Sequence, residues 1–285
     1  MYVREAYTRH TNFPKDMTTA LDGIRRHHLL GIWVDELTIP DLNRIMGSIV
    51  QSNQKRVIAN HNLHSIYLQR RDPQMRAFFQ EKASLIHADG MSLIFAAKAL
   101  GIPMRRENRI TYVDWVEPLM QAAARRQWRI FYLGSRPSVV RRGVKYLRDQ
   151  HPNLDIGYHH GYFDAEPEGE ENKTVVNVIH EFRPDVLMVG MGMPRQEKWI
   201  YANYDRLPPC AILTAGACID YVAEAVPTPP RWMGRIGLEW LYRFFQEPRR
   251  LWYRHFVEPM TLLPMFFREI IRYRLLNEER RLSHP

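Results

Sequence analysis

Between residues 128 and 217 the chain settles into a rhythm that few folds accommodate. Short apolar runs at 128–135, 154–159, 185–190 and 210–214 each stop at glycine or a polar residue. Between them, 139–150, 173–182 and 195–204 carry apolar residues at helical spacing. Runs this short and this unbroken suit strands buried on both faces. Strands alternating with helices predict an α/β domain with a doubly wound, mostly parallel sheet, Rossmann-like in class.

The same pattern extends upstream. Residues 29–34 read as a first strand or hairpin, and 41–52 as a helix through Leu42, Ile45, Met46 and Ile49. Arg56-Val57-Ile58-Ala59 is a strand ending in the polar cluster Asn60-His61-Asn62, with helical stretches at about 63–70 and 74–81. Ser84-Leu85-Ile86-His87-Ala88 then stops at Asp89-Gly90, and a helix opens at Met91. Gly101-Ile102-Pro103 ends it, a charged loop with Arg109 follows, and 114–126 is helical.

Ligands of open α/β sheets sit at the carboxyl ends of the strands, where this reading puts Asp89. A carboxylate there can take a proton from a substrate hydroxyl. Aspartate is also a favoured N-cap, so the stretch alone allows a capping role as well. Asn60 and Asn62 fall on the same edge, as sugar ligands or as turn formers. Gly134-Ser135-Arg136-Pro137 joins strand to helix and can offer amides to a phosphate. In 190–199 the glycines, Gly192 among them, permit close backbone approach, and Arg195, Gln196 and Lys198 bring donors to a helix start.

The formal charge of +9 over 285 residues points to an anionic partner. Two cysteines, Cys210 and Cys218, make no disulfide framework, and the histidines show no zinc spacing. Residues 1–28 lack the apolar segment of a signal peptide and read as a flexible arm. No stretch is apolar enough to span a bilayer. The α/β domain is expected over 29–226, followed by a helical appendage at 227–285. From residue 231 onward there are eleven Arg, no Lys and six Glu, a net of 11 − 6 = +5. Trp252, Phe256, Met260, Leu263, Phe267 and Ile271 recur about every four residues there, as on a core-packed terminal helix or a membrane-surface helix.

Six segments carry a resemblance. They are Asn60-His61-Asn62, Ala88-Asp89-Gly90, Asn108-Arg109-Ile110, His160-Gly161-Tyr162-Phe163, Gly192 through Trp199, and Gly237 through Arg243. In this order they resemble the WecG/TagA/CpsF family of bacterial glycosyltransferases over about residues 29–260. The resemblance implies an inverting, metal-independent transferase that uses a UDP-sugar and a polyprenyl-diphosphate-linked acceptor. It would make Asp89 the general base. Asn62 and Gln196 would touch sugar or nucleotide, and Arg109 would help to bind diphosphate. The family often has Thr where this chain has Asn60, and a basic residue where it has Thr228.

The chain contains no Asp-x-Asp pair to hold a metal, so neutralising a departing diphosphate falls to arginines and helix N-termini. Arg243, Arg249, Arg250 and Arg254 are the candidates from the appendage, which would also dock on an anionic membrane. No cofactor is expected. The expected place is the cytoplasmic face of the cell membrane, and the apolar helix faces permit a homo-oligomer. A Rossmann-type oxidoreductase would need a full glycine fingerprint after its first strand, and a nucleic-acid-binding protein a recognisable reading motif. The sequence shows neither.

Overall fold

The computed structural model describes residues 19–230, 232–233 and 237–282. Most of the expected arm and a few positions of the appendage therefore lie outside the described residues. A short turn, Thr19–Leu21, leads into a hairpin of β1 (Arg26–Leu29) and β2 (Ile32–Asp35). Then follow α1 (Ile39–Gln51), β3 (Arg56–His61), α2 (Leu63–Arg71), α3 (Pro73–Ala77), β4 (Ala83–Ala88), α4 (Met91–Ala99) and α5 (Tyr112–Arg126). The second half adds β5 (Arg129–Gly134), α6 (Pro137–Gln150), β6 (Asp155–His159), α7 (Glu170–Phe182), β7 (Val186–Gly190), α8 (Arg195–Asn203), β8 (Ala211–Thr214) and α9 (Cys218–Val222). The appendage contains α10 (Glu239–Gln246), α11 (Pro248–Trp252) and the long α12 (Glu258–Leu282).

Among the described residues six strands form one parallel sheet in the order β4-β3-β8-β7-β5-β6. The unbroken apolar runs are explained by burial on both faces. On one side Leu42 and Ile45 of α1, Trp115 and Leu119 of α5, Val140 of α6 and Ile219 of α9 pack together. On the other side Met75, Phe78, Val175, Ile179, Trp199 and Ile200 do the same. Each such side chain contributes roughly 1.5–3 kcal/mol when fully buried. The sheet is doubly wound, as the alternation predicted. After β5 the chain turns to the first face, and after β7 to the second. That divergence opens a crevice at the carboxyl ends of β5 and β7.

The hairpin closes the β4 edge, which would otherwise present unpaired amides. Buried Asp35 accepts from Ile86 N at 2.7 Å and takes both arms of Arg26 at 2.7 and 2.8 Å, while Arg26 also reaches Ser84 O. The described fold takes in residues upstream of 29: Ala20 and Leu21 are buried, and β1 begins at Arg26.

The hairpin, α4 and the inner side of α12 share a third cluster, including Leu29, Ile32, Val34, Leu93, Ile94 and Leu262. Glu269 of α12 accepts from the hairpin-turn amides of Leu30 and Gly31. Met260, Leu263, Phe267 and Ile271 are exposed, so the expected apolar stripe faces away from the domain.

Candidate active site

Asp89 stands one residue past β4, and its N–H extends the ladder to His61 O at 2.8 Å. Gly90, at φ +104°, is the N-cap of α4, and no side chain caps that helix. The carboxylate is therefore not spent on capping. Its Oδ2 accepts from Asn60 Nδ2 and Asn62 Nδ2, both at 3.2 Å.

Each asparagine is fixed from behind. Thr214 Oγ1 donates to Asn60 Oδ1 at 2.8 Å, and Ser65 N donates to Asn62 Oδ1 at 3.0 Å in the N-cap of α2. A carboxamide has one accepting end and one donating end. With the oxygens engaged, both amino groups must turn to Asp89. Its Oδ1 accepts no hydrogen bond among the described residues. The two asparagines thus hold Asp89, whatever further contact they make with a ligand. Thr214 was not singled out in the sequence, although its place at the end of an apolar run was a usable signal.

Arg109 runs alongside the end of β4, where Ile110 N donates to Ala88 O at 2.8 Å. Its guanidinium is already paired, with Asp114 at 2.7 Å and Glu239 at 3.0 Å. Through Glu239 it ties α10 of the appendage to the domain. Burial raises the Glu239 carboxyl above its ordinary value against the pull of Arg109, and the Asp89 charge pushes the same way.

The appendage arginines divide. Arg254 is partly buried and makes no ion pair among the described residues. Burial and then the Arg243 charge press its guanidinium below the usual arginine range, while Asp89 and Glu258 act in the opposite sense. Arg243 lies over the Tyr221 ring at 5.5 Å. Burial raises the Tyr221 hydroxyl, which also feels Arg243, Asp89, Glu239 and Asp220. Asp89, Tyr221, Glu239, Arg243 and Arg254 therefore share one electrostatic neighbourhood. Arg249 and Arg250 are exposed, and Arg250 pairs with Glu247.

The β5–β7 crevice forms the other half. A Cβ on Gly134 would stand 2.2 Å from Gly190 O, so only glycine lets these strand ends meet. Ser135, at φ +59°, donates from Oγ to Asp220 Oδ1 at 2.8 Å, and burial raises the Asp220 carboxyl. Gly192 and Gly216 both have positive φ and open space where a side chain would be. Gln196 is buried beneath them: its Oε1 accepts from Gly192 N at 3.2 Å and Gly216 N at 3.0 Å. Arg195 donates to Phe163 O at 2.6 Å and holds the loop after β6. A cavity of about 410 Å³, lined by Ser138, Arg141, Tyr158, His159 and His160 among others, opens at the N-terminus of α6. Among the described residues no group of three or more His, Cys, Asp or Glu converges as a metal site would need.

This site stands in a chain with known relatives. Two are N-acetylglucosaminyldiphosphoundecaprenol N-acetyl-beta-D-mannosaminyltransferases of Staphylococcus aureus, from strains MW2 and NCTC 8325 / PS 47. Each is 28% identical over 227 residues, which is 76% of this chain and 86% of the relative. A family model described as glycosyl transferase WecG/TagA/CpsF matches residues 27–279. The chain is a glycosyltransferase, and it belongs to the WecG/TagA/CpsF family.

Proposed function

We propose that this enzyme moves a sugar, with inversion and without a metal ion, from a UDP-sugar to an acceptor carried on a polyprenyl diphosphate. The donor we favour is UDP-N-acetylmannosamine or a related hexose or uronic acid, in keeping with the activity named for the staphylococcal relatives. The observation that carries the reading is Asp89, one oxygen held by two asparagine amides and the other without a hydrogen bond among the described residues, within the electrostatic reach of Arg254.

The reaction is a single displacement. The acceptor hydroxyl oxygen bonds to the anomeric carbon while the bond from that carbon to the UDP phosphate oxygen breaks. The hydroxyl proton passes to Asp89 Oδ1, general-base work of about 10²–10⁴-fold. UDP leaves carrying the electron pair. Arg243 and Arg254 answer its charge, with Arg249 and Arg250 further out. An arginine fork matches phosphate geometry, and preset charges of this kind need no reorganisation during reaction. Gly134, Gly192 and Gly216 let backbone come close to the nucleotide end.

The acceptor's lipid stays in the bilayer, so the enzyme works at the cytoplasmic face of the membrane. Among the described residues no helix is long and apolar enough to cross it. The outward stripe of Met260, Leu263, Phe267 and Ile271, flanked by Arg268 and Arg272, is the docking face. Each basic residue near anionic lipid adds about 1 kcal/mol.

The test is incubation with a panel of UDP-sugars and a short N-acetylglucosamine-diphosphate-polyprenol, with a chelator present. UDP release and a product of inverted anomeric configuration are expected. Absence of UDP release with every donor, or dependence on added metal, overturns the reading.

A further inference from the structure

Glu197 sits beside the site but has no role in the chemistry above. It is fully buried, and Gln196 Nε2 donates to its Oε1 at 2.8 Å. Among the described residues its Oε2 has no hydrogen-bond partner. Burial pushes its carboxyl up to about 7, against the Gln196 bond and the Arg254 charge. A buried carboxyl is costly, so its partner shows what it serves.

That partner bonds both glycine loops. Gln196 Oε1 takes the amides of Gly192, after β7, and Gly216, after β8. The orientation works only if the amino end of the carboxamide finds an acceptor in the interior, and Glu197 Oε1 is that acceptor. Without it a buried amino group goes unpaired, at a penalty comparable to the bonds holding the loops. The carboxamide would then swing away and release both. The helix beneath is rigid: Trp199 Nε1 donates to Asn172 Oδ1, and Asn172 Nδ2 to Asn203 Oδ1, so the slack appears in the loops.

We propose that Glu197 is a positioning residue for the donor nucleotide, acting through Gln196 to hold the Gly192 and Gly216 backbones where UDP binds. The proposal rests on the transfer reading. Glu197 touches neither sugar nor acceptor and gives up no proton in the reaction. Its contribution is an acceptor oxygen, which the amide of a glutamine supplies equally well.

The experiment is a double-mutant cycle read by calorimetric titration with UDP, with donor KM and kcat measured in parallel. Glu197→Leu is expected to weaken UDP binding about tenfold and to raise donor KM more than it lowers kcat. Glu197→Gln keeps UDP affinity within about threefold of wild type, with an unshifted pH profile. Gln196→Met weakens UDP, and adding Glu197→Leu to it weakens UDP no further, because the two act in series. Should Glu197→Leu not fold, Glu197→Ala takes its place in the cycle. Additive effects, a Glu197→Gln variant as poor as Glu197→Leu, or a Leu variant that melts earlier yet binds UDP normally would each overturn the proposal. Wild-type protein that binds no UDP would instead overturn the transfer reading.

Discussion

On the proposed reading Asp89 is the base, and its neighbours engage one oxygen while the other accepts no hydrogen bond among the described residues. The asparagine amides occupy Oδ2, and Thr214 and Ser65 fix the asparagines. Asp89→Asn keeps the shape and removes the basic oxygen. Its kcat should fall by about 10²–10⁴-fold with the melting temperature little changed, as steady-state kinetics and calorimetry will show. Thr214→Val probes the support instead. It leaves Asn60 Oδ1 without its 2.8 Å donor in a buried place, at about 1–3 kcal/mol. Asn60 then turns its oxygen toward Asp89 in part of the molecules, and kcat should drop about tenfold at most while UDP affinity holds. A Thr214→Val enzyme with wild-type kcat would show that Asn60 needs no backing.

At the level of elements, the strands and their carboxyl edge were readable because burial on both faces leaves an unbroken apolar run, as in Val186–Gly190. Asp89 was readable because such a run stops beside it. What each polar residue bonds to was not. Arg109 meets Glu239 across 130 positions and His64 meets Glu258 across 194, and no local pattern encodes partners so distant. Nor could spacing tell that the amide of Gln196 would be turned inward. The His64–Glu258 contact, at 2.7 Å, joins α2 to the start of α12. Burial favours the neutral form of both groups, with Glu258 raised to about 7 and His64 lowered to about 3. Arg254, Arg71 and His255 are the other charged or titratable groups acting on the pair. A carboxyl whose folded value is raised loses its stabilising contribution as pH climbs from its ordinary value of 4.5 through about 7. Glu258→Gln keeps a hydrogen-bonding partner for His64 and has nothing to ionise. Its melting temperature relative to wild type should therefore be higher at pH 8 than at pH 5. A difference that does not change with pH would mean that Glu258 is ionised throughout.

For the whole molecule, α12 must satisfy two surfaces at once. Its inner side, with Leu262 buried and Glu269 on the hairpin turn, fastens it to the domain. Its outer side leaves Phe267 and Ile271 more than half exposed, at 57% and 59%. Exposed apolar side chains in a row are unfavourable in water, and their burial in the interfacial region of a bilayer recovers about 25 cal/mol per Å². Arg254 belongs to the same appendage, just before that stripe, and its charge interacts with that of Asp89, so on the proposed reading the segment that meets the lipid also completes the charge of the site. On that reading membrane contact and catalysis share one segment, yet are separable by mutation. Phe267→Ser with Ile271→Ser changes only outward side chains and should leave melting and UDP affinity as they were. Sedimentation with vesicles containing anionic lipid should fall several-fold, and turnover should fall with a long-chain polyprenyl acceptor but not with a short, water-soluble one. Equal loss on both acceptors would mean that the stripe serves the site directly, and unchanged sedimentation would place the lipid contact elsewhere on the molecule.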